Sequence, residues 1–303
     1  MASTKKRGCM YWFRLLAFGL VGGVTLACVG IEVFYLYVIT RPADTSICCA
    51  TPADYGLEYE EVTFTSQDGT RLSGWYIPSS NRAAVIFLHG FGANRTELLR
   101  HANALASHGY GVLLYDLRAH GQSQGRKRTL GWQDPPDAIA ALDYLLTRPE
   151  LDPARIGIFG FSVGGQIAIR AAAQDQRLSA IFADDPGFIT IQDAPPPTNN
   201  LERAVYAMNW VDTKGMQIAT GFIPQPPLVS QVIGSLSPRP LFLVATGAFP
   251  ANARMGQHYY DLAGEPKTLW VIPEAGHGGT FSARPEEYAA KLQEFFDQAL
   301  LEK

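Results

Sequence analysis

Residues 155–165 read RIGIFGFSVGG, and this stretch decides the fold. A short apolar run ends at Phe161, Ser162 follows at once, and the next segment has helical spacing. A G-x-S-x-G pattern between a strand and a helix is typical of a nucleophile held on a tight turn. Such a turn accepts only small neighbours, which accounts for Gly160 and Gly164, and the helix N-terminus favours developing negative charge. Ser162 is therefore the candidate nucleophile.

Strand-like and helical segments alternate outward from this turn. Two alternating runs, 58–66 and 71–77, flank the turn QDGT and predict an antiparallel hairpin. Apolar runs predict further strands at 83–88, 111–115, 155–161, 180–183, 240–245 and 267–272. Helical spacing predicts helices at 96–108, 136–146, 164–173, 256–263 and 286–300. This order predicts an α/β fold with a mostly parallel central sheet and helices on both faces.

Two glycine-rich turns follow predicted strands, at the sheet edge where such folds bind ligands. The turn HGFG at 89–92 follows a buried strand. An acyl-transfer site needs two donors for its oxyanion, and we assign them to the backbone N–H groups of Phe91 and Val163. His277, in the turn EAGHGG after the last strand, lies in the right chain order and at the right edge to act as general base.

Other polar residues near this edge have simpler explanations. Asp116, Arg118 and His120 follow the strand GVLLY, and hydrogen bonds within their own loop account for them. His89 is expected to pack and bond within its turn, and His258 falls in a predicted helix and is expected at the surface.

The motifs GFSVGG, HGFGANR, DLRAHGQSQG and EAGHGG together resemble those of the α/β-hydrolase superfamily, over about residues 58–300. The branch that they most resemble is the bacterial membrane-anchored hydrolases similar to Bem46 and to serine aminopeptidases. The resemblance implies an α/β-hydrolase fold in which Ser162 attacks an acyl carbon. It also implies that His277 moves the proton and that an acidic residue orients His277.

The acid is missing from its usual place. The family carries it after the penultimate strand, where residues 247–254 read GAFPANAR, without Asp or Glu. One explanation is that the acid has moved to the turn ADDP after the preceding strand, with Asp185 as the candidate and Asp184 as its rival, although an Asp here also has a structural explanation. Glu274 lies too close to His277 along the chain to be favoured. The alternatives are a Ser–His dyad, which is slower, and a binding protein without activity.

The N-terminal segment 15–39 is apolar apart from Glu32 and is long enough to cross a bilayer. The basic residues Lys5, Lys6, Arg7 and Arg14 precede it. By the positive-inside rule, residues 1–14 stay cytoplasmic and the large domain lies outside. A cleaved signal peptide is the alternative, but the apolar run continues past the small-residue site at 26–28. We therefore expect an uncleaved single-pass anchor.

Beyond the anchor we expect a linker at 40–57 and one hydrolase domain at 58–303. Within it, residues 186–237 interrupt the alternation and form either a loop over the sheet or a cap over the site. The aromatic residues of this segment fit an apolar acyl pocket and fit a lid core equally well. They are Phe188, Tyr206, Trp210 and Phe222.

The composition excludes some classes of partner and of binding site. A net charge of −3 offers no basic surplus, so no nucleic-acid partner is expected. All four cysteines precede residue 50, so the large domain has no disulfide or cysteine-ligated metal. Cys48 and Cys49 are interpreted as free thiols, with an interchain bridge or lipidation as alternatives. The leading hypothesis is an ester hydrolase without cofactor or metal, acting on a small or lipid-like acyl substrate. A peptidase or amidase is the nearest alternative, and a membrane-tethered subunit that binds a protein partner is the other.

Overall fold

The computed structural model describes residues 2–42, 47–188, 190–221 and 224–302. Its strands are β1 Glu60–Thr65, β2 Arg71–Ile77, β3 Ala84–Leu88, β4 Gly111–Tyr115, β5 Ile156–Phe161, β6 Ala180–Asp184, β7 Leu241–Thr246 and β8 Lys267–Ile272. They form one sheet in the order β1-β2-β4-β3-β5-β6-β7-β8. The β1–β2 and β2–β4 pairs are antiparallel, and the other pairs are parallel. The predicted mostly parallel sheet with an antiparallel hairpin at one edge is confirmed.

The α-helices are α1 Ala2–Ile39, α2 Leu99–Ala106, α3 Pro135–Leu145, α4 Val163–Gln174, α5 Asn200–Ala219, α6 Val229–Val232, α7 Pro250–Leu262, α8 Thr280–Ala283 and α9 Pro285–Phe296. One predicted bound was wrong. The helix predicted at 256–263 begins at Pro250, a residue that suits the first helical position because its ring presets the backbone angle. The segment 186–237, predicted to be a loop or a cap, contains the 20-residue helix α5.

Successive side chains of a strand point to opposite sides of the sheet, and the central strands β3 to β7 bury both of their faces. One face packs against α3, α4 and α7, with β5 contributing Ile156 and Ile158. The other face packs against α2 and α9, with Phe159 and Phe161 from the same strand. This double cover holds the strand ends, and therefore the turns that follow them, in fixed positions.

The N-terminal helix α1 is continuous from Ala2, and its portion Arg14–Ile39 is long and apolar enough to cross a membrane. A helix of this kind fits either a membrane anchor or a signal sequence. Its last turns do not stand apart from the domain. Leu36 is buried against α5, and the Arg128 backbone N–H donates to the Thr40 carbonyl at 2.7 Å.

The segment after α1 differs from the expected linker in two ways. Cys48 and Cys49 are joined as a disulfide between adjacent residues, so their interpretation as free thiols was wrong. Residues 52–55 form a short 3-10 helix, and Ile47 and Leu57 pack against the α2–α9 face of the core. The described part of the segment is thus attached to the domain.

Candidate active site

Ser162 lies on the tight turn between β5 and α4 that the sequence predicts. Its backbone angles, φ 54° and ψ −120°, lie in a region that side-chain-bearing residues rarely adopt. A Cβ on Gly160 would lie 2.1 Å from the Gly164 carbonyl oxygen, and a Cβ on Gly164 would lie 2.2 Å from the Leu88 carbonyl oxygen. Glycine is therefore required on both sides of Ser162, and the turn packs directly against the end of β3.

The three residues proposed as a catalytic triad lie in hydrogen-bonding order. Ser162 Oγ is 2.9 Å from His277 Nε2, and His277 Nδ1 is 2.7 Å from Asp185 Oδ2. The serine, the histidine and the carboxylate come from the turns after β5, β8 and β6. A serine, a base and an orienting acid in this order are what nucleophilic acyl transfer requires.

Asp185 lies in the turn after β6. Its carboxylate is held by residues near the end of β7, where the acid is usually found. Its carboxylate is buried and accepts a hydrogen bond from Thr246 Oγ1 at 2.8 Å. Asn252 Nδ2 donates to the same Thr246 oxygen at 2.9 Å. Thr246 ends β7 and Asn252 lies in the first turn of α7, so the place left without an acid supplies groups that hold the acid from the neighbouring strand. Thr246 and Asn252 could not be predicted from the sequence, since both side chains are neutral.

Asp184, the rival candidate, points elsewhere. Its Oδ2 accepts hydrogen bonds from Thr280 Oγ1 at 2.7 Å and Tyr288 Oη at 2.8 Å. Burial raises the pKa of Asp184 to about 7, against the opposing effect of these two donors. Thr280 follows the His277 turn by three residues, so Asp184 fixes that turn to α9 and does not itself bond the imidazole.

The environment of His277 favours its charged form. The hydrogen bond that the Asp185 carboxylate accepts from His277 raises the pKa of His277, and the charges of Asp185, Asp184 and Glu97 act in the same direction, while partial burial opposes them. The ring is half-exposed and lies 5.2 Å from the ring of Phe161. An imidazole that is stabilised as imidazolium suits a group that takes a proton from serine during attack.

The predicted oxyanion donors lie in adjoining turns. Val163 is the first residue of α4, so its N–H has no acceptor within the helix. Phe91 belongs to the turn after β3, the strand end against which Gly164 packs. The Gly90 N–H donates to Glu97 Oε2 at 2.7 Å, which ties this turn to the following helical segment. Glu97 was missed in the sequence, and burial raises its pKa. The roles of Phe91 and Val163 stay predictions.

The polar residues that we interpreted as structural make hydrogen bonds and ion pairs that stabilise the loops around the site. His89 Nδ1 lies 2.7 Å from the Gly90 carbonyl oxygen, and its Nε2 accepts from the Leu117 N–H at 3.0 Å. Asp116 pairs with Arg95, and Arg118 with Asp137. His120 Nδ1 lies 2.8 Å from the Arg118 carbonyl oxygen. Burial lowers the pKa of His89 to about 4 and that of His120 to about 3, so both rings are neutral at pH 7.

A cavity of about 540 Å³ opens beside His277 and Asp185. Its volume is within the range of small-molecule sites. Most of its wall comes from the segment 186–237 and from α7. The lining includes Phe188, Ile191, Pro195, Leu201, Val205, Tyr206 and Met255. Of the proposed pocket aromatics, Phe188 and Tyr206 line it, whereas Trp210 is half-exposed beside Lys214 and does not. Phe222 lies outside the described residues.

In the described ranges, no group of three or more His, Cys, Asp or Glu side chains is placed to hold a metal ion. Glu274 pairs with Arg284 at 2.6 Å and takes no part in the Ser162–His277–Asp185 chain.

Comparisons with known proteins agree with this architecture. A family model described as the alpha/beta hydrolase fold matches residues 83–225. The esterase Pf2001 of Pyrococcus furiosus is 27% identical, with a TM-score of 0.69 over 86% of this chain and 99% of that one. The protein YfhR of Escherichia coli K12, itself uncharacterized, is 28% identical over 88% of this chain and 92% of its own length. A thiohydrolase of Aspergillus aculeatus, aneE, is 35% identical over 42% of each chain.

The chain has the α/β-hydrolase fold, and the family match and the esterase structures support its place in the superfamily of that fold. A serine, a histidine and an aspartate meet at the carboxyl ends of its strands. The closer resemblance to the Bem46 branch stays a prediction.

Proposed function

We propose that this protein is a membrane-anchored serine hydrolase that cleaves carboxylic esters through an acyl-enzyme on Ser162. The observation that carries the proposal is the unbroken hydrogen-bond chain from Ser162 Oγ through His277 to Asp185. The likeness to an esterase of known structure, 26–27% identical over 86% of this chain, supports ester chemistry. The partial match to a thiohydrolase fits the same acyl transfer with a thiolate leaving group.

The steps follow from the contacts. Ser162 Oγ attacks the acyl carbon while its proton passes to His277 Nε2, and Asp185 stabilises the imidazolium that forms. The oxyanion is stabilised by the backbone N–H groups of Phe91 and Val163. His277 then protonates the leaving alkoxide, which departs as an alcohol. Water, deprotonated by the same imidazole, attacks the acyl-enzyme and releases a carboxylic acid and free Ser162.

The location proposed for this chemistry rests on α1. We infer that α1 is an uncleaved anchor with residues 1–14 in the cytoplasm and the hydrolase domain outside. The basic residues before Arg14–Ile39 and the length of that apolar span support this orientation. Contact of Leu36 with α5 adds a reason for retention, since cleavage near residues 26–28 would remove most of the helix that ends in this contact.

The test is covalent labelling with a fluorophosphonate, which reacts with activated serines. The full chain in detergent is expected to label rapidly, and Ser162→Ala is expected not to label at all. Hydrolysis of a short soluble ester by the same two proteins distinguishes turnover from mere reactivity. A folded wild-type protein that neither labels nor hydrolyses the ester would contradict the proposal and favour a binding subunit on a hydrolase scaffold.

A further inference from the structure

One face of α5 is defined by the 4-3-4-3 spacing of Leu201, Val205, Met208, Asp212 and Gly215, which places these residues along one side of the helix. We name it the anchor-side face, because its C-terminal part contacts α1. A Cβ added to Gly215 would lie 2.3 Å from Leu36 Cδ1, so glycine permits this close approach. Asp212 faces Glu32, and both line a small cavity between the helices.

The two contacts set the direction of α5 relative to α1. Glu32 lies opposite Asp212, and Leu36 lies opposite Gly215, so residue numbers rise in the same direction along both helices. The N-terminal half of α5 therefore extends toward the part of α1 that precedes Glu32. In the proposed orientation, that part of α1 lies within the bilayer. Leu201, about 16 Å from Asp212 along the axis, thus lies on the membrane side of the anchor contact.

On the anchor-side face, this N-terminal half exposes apolar residues. Leu201 is 76% exposed and Met208 is 67% exposed, and Val205 is about half-exposed between them. A helix facing water usually carries polar residues on its exposed side. The exposed apolar surface is also continuous with the contact that α1 makes at Asp212 and Gly215.

Basic residues lie where the chain leaves α1. Arg41 follows the helix and is exposed, and Arg126 is exposed in the loop whose Arg128 N–H binds the Thr40 carbonyl oxygen. Lys127 in the same loop donates from Nζ to the Ala219 carbonyl at the end of α5, at 2.7 Å. Such a group of cations at the end of an apolar span attracts the anionic phosphates of lipids.

The cavity lies against the same face of α5. Leu201 and Val205 line it together with His277, so the anchor-side face separates the cavity from the exterior on that side. A molecule whose acyl chains lie in the bilayer would pass this face to place its ester near Ser162.

We propose that the exposed half of the anchor-side face rests in the interfacial layer of the bilayer that holds α1, and that the substrates are long-chain lipid esters taken from that bilayer. The inference rests on the proposed function in two respects, the retained anchor and the acyl chemistry of Ser162. The occupant of the face is lipid, and a second copy of the chain or a protein partner is an outcome that the test detects.

The first test measures depth and needs no catalysis. In the full chain, Cys9, Cys28, Cys48 and Cys49 are replaced by serine, and a nitroxide is attached at Met208→Cys or, as the control, at Arg203→Cys on the other side of α5. Each protein is placed in vesicles of phosphatidylcholine and phosphatidylglycerol. The label at 208 is expected to be more accessible to oxygen than to a water-soluble nickel chelate, and the label at 203 the reverse. Equal exposure of both labels to the nickel chelate would overturn the proposal, as would dipolar broadening at 208, which indicates a second copy.

The second test measures access of substrate. Met208→Asp places a charge at the interface without changing a residue that lines the cavity, and Arg203→Asp is the matched control. The rate on a long-chain ester in vesicles, divided by the rate on a soluble short ester, is expected to fall about tenfold in Met208→Asp and to stay within about twofold in Arg203→Asp. An unchanged ratio in Met208→Asp would contradict membrane access. If the wild type cleaves neither ester, the proposed function fails, while the depth measurement still decides the docking.

Discussion

Asp185 on the sheet edge and Val205 on α5 both line the same cavity, yet their surroundings differ. The turn of Asp185 is held by β6, by the Val244 carbonyl that accepts its N–H at 2.9 Å, and by Thr246. In the 20 residues of α5, by contrast, only Thr213 and Met216 are buried. The difference indicates that the core holds the reacting groups in place. Helix α5 controls the access of substrate to the cavity, and its own position depends on what covers it. Changes at the edge should therefore reduce chemistry, and changes on α5 should alter substrate preference.

A large effect at the sheet edge is expected from Gly164→Ala. The added Cβ would meet the Leu88 carbonyl oxygen at 2.2 Å, and this backbone atom cannot rotate away. The turn of Ser162 and the turn of Phe91 would then move apart, and a displacement of about 1 Å at such a site costs about 100-fold in rate. Thermal unfolding measures the disturbance of the turn, and fluorophosphonate labelling measures the loss of rate.

The matched change on α5 is Met208→Ala, which shortens an exposed side chain. Its free energy of unfolding is expected to stay within about 0.5 kcal/mol of wild type in detergent. Equal losses of unfolding free energy in Gly164→Ala and Met208→Ala would show that α5 and the sheet edge are held equally firmly.

A smaller and more selective effect is expected from Val205→Asp. The carboxylate would enter an apolar part of the cavity wall, so the KM for long-chain esters should rise about tenfold more than that for acetate esters. Steady-state kinetics over a series of chain lengths gives the comparison. The same loss for every chain length would mean that α5 supports the catalytic geometry itself.

The pH dependence of kcat/KM should show the influence of Asp185 on the base. His277 acts as base only when neutral, and its pKa is raised by the Asp185 hydrogen bond. The rate is therefore expected to fall on acidification with a midpoint above about 6.5, the usual value for histidine. A midpoint below that value would indicate that the carboxylate does not interact with the imidazole in solution.

The last effect concerns stability rather than catalysis. The pKa of Asp184 is raised to about 7, so the folded state retains a proton that the unfolded state has lost. Stability should then decrease as the pH rises through the interval from about 4 to about 7, by up to about 1.4 kcal/mol per pH unit. Asp184→Asn is expected to flatten this decline in denaturant unfolding measured across the interval. An unchanged slope would mean that Asp184 is ionised in the fold throughout.

The same contrast between core and cap explains what the sequence allowed us to predict. Ser162 follows from a motif whose glycines are required by close backbone contacts, and His277 follows from its place after the last strand. The central strands β3 to β7 follow from apolar runs that are buried on both faces. The choice between Asp184 and Asp185 was harder because the residues are adjacent. Asp184 shares the side of Phe182 in β6 and so faces Tyr288 and α9. Asp185 leaves the strand with φ 44° and turns toward the site.

Other parts of the site had no local signal. Thr246 and Asn252 act only because the sheet order places β7 beside β6, a long-range relation that neutral side chains do not reveal. The first and last residues of α5 could not be predicted either, since its exposed apolar residues match neither a buried helix nor an ordinary surface helix. We attribute that mismatch to the bilayer, which the pattern of a soluble domain does not include.

The most direct measurement of the central claim, that the triad acid lies after β6 at Asp185, is the second-order rate of fluorophosphonate labelling in two isosteric variants. Asp185→Asn should react far more slowly than wild type, because loss of a triad carboxylate costs about 10⁴ in turnover where it has been measured. Asp184→Asn should stay within about tenfold, since it only fixes the turn that carries His277. A large loss in Asp184→Asn with little change in Asp185→Asn would contradict the account and move the acid to the neighbouring residue.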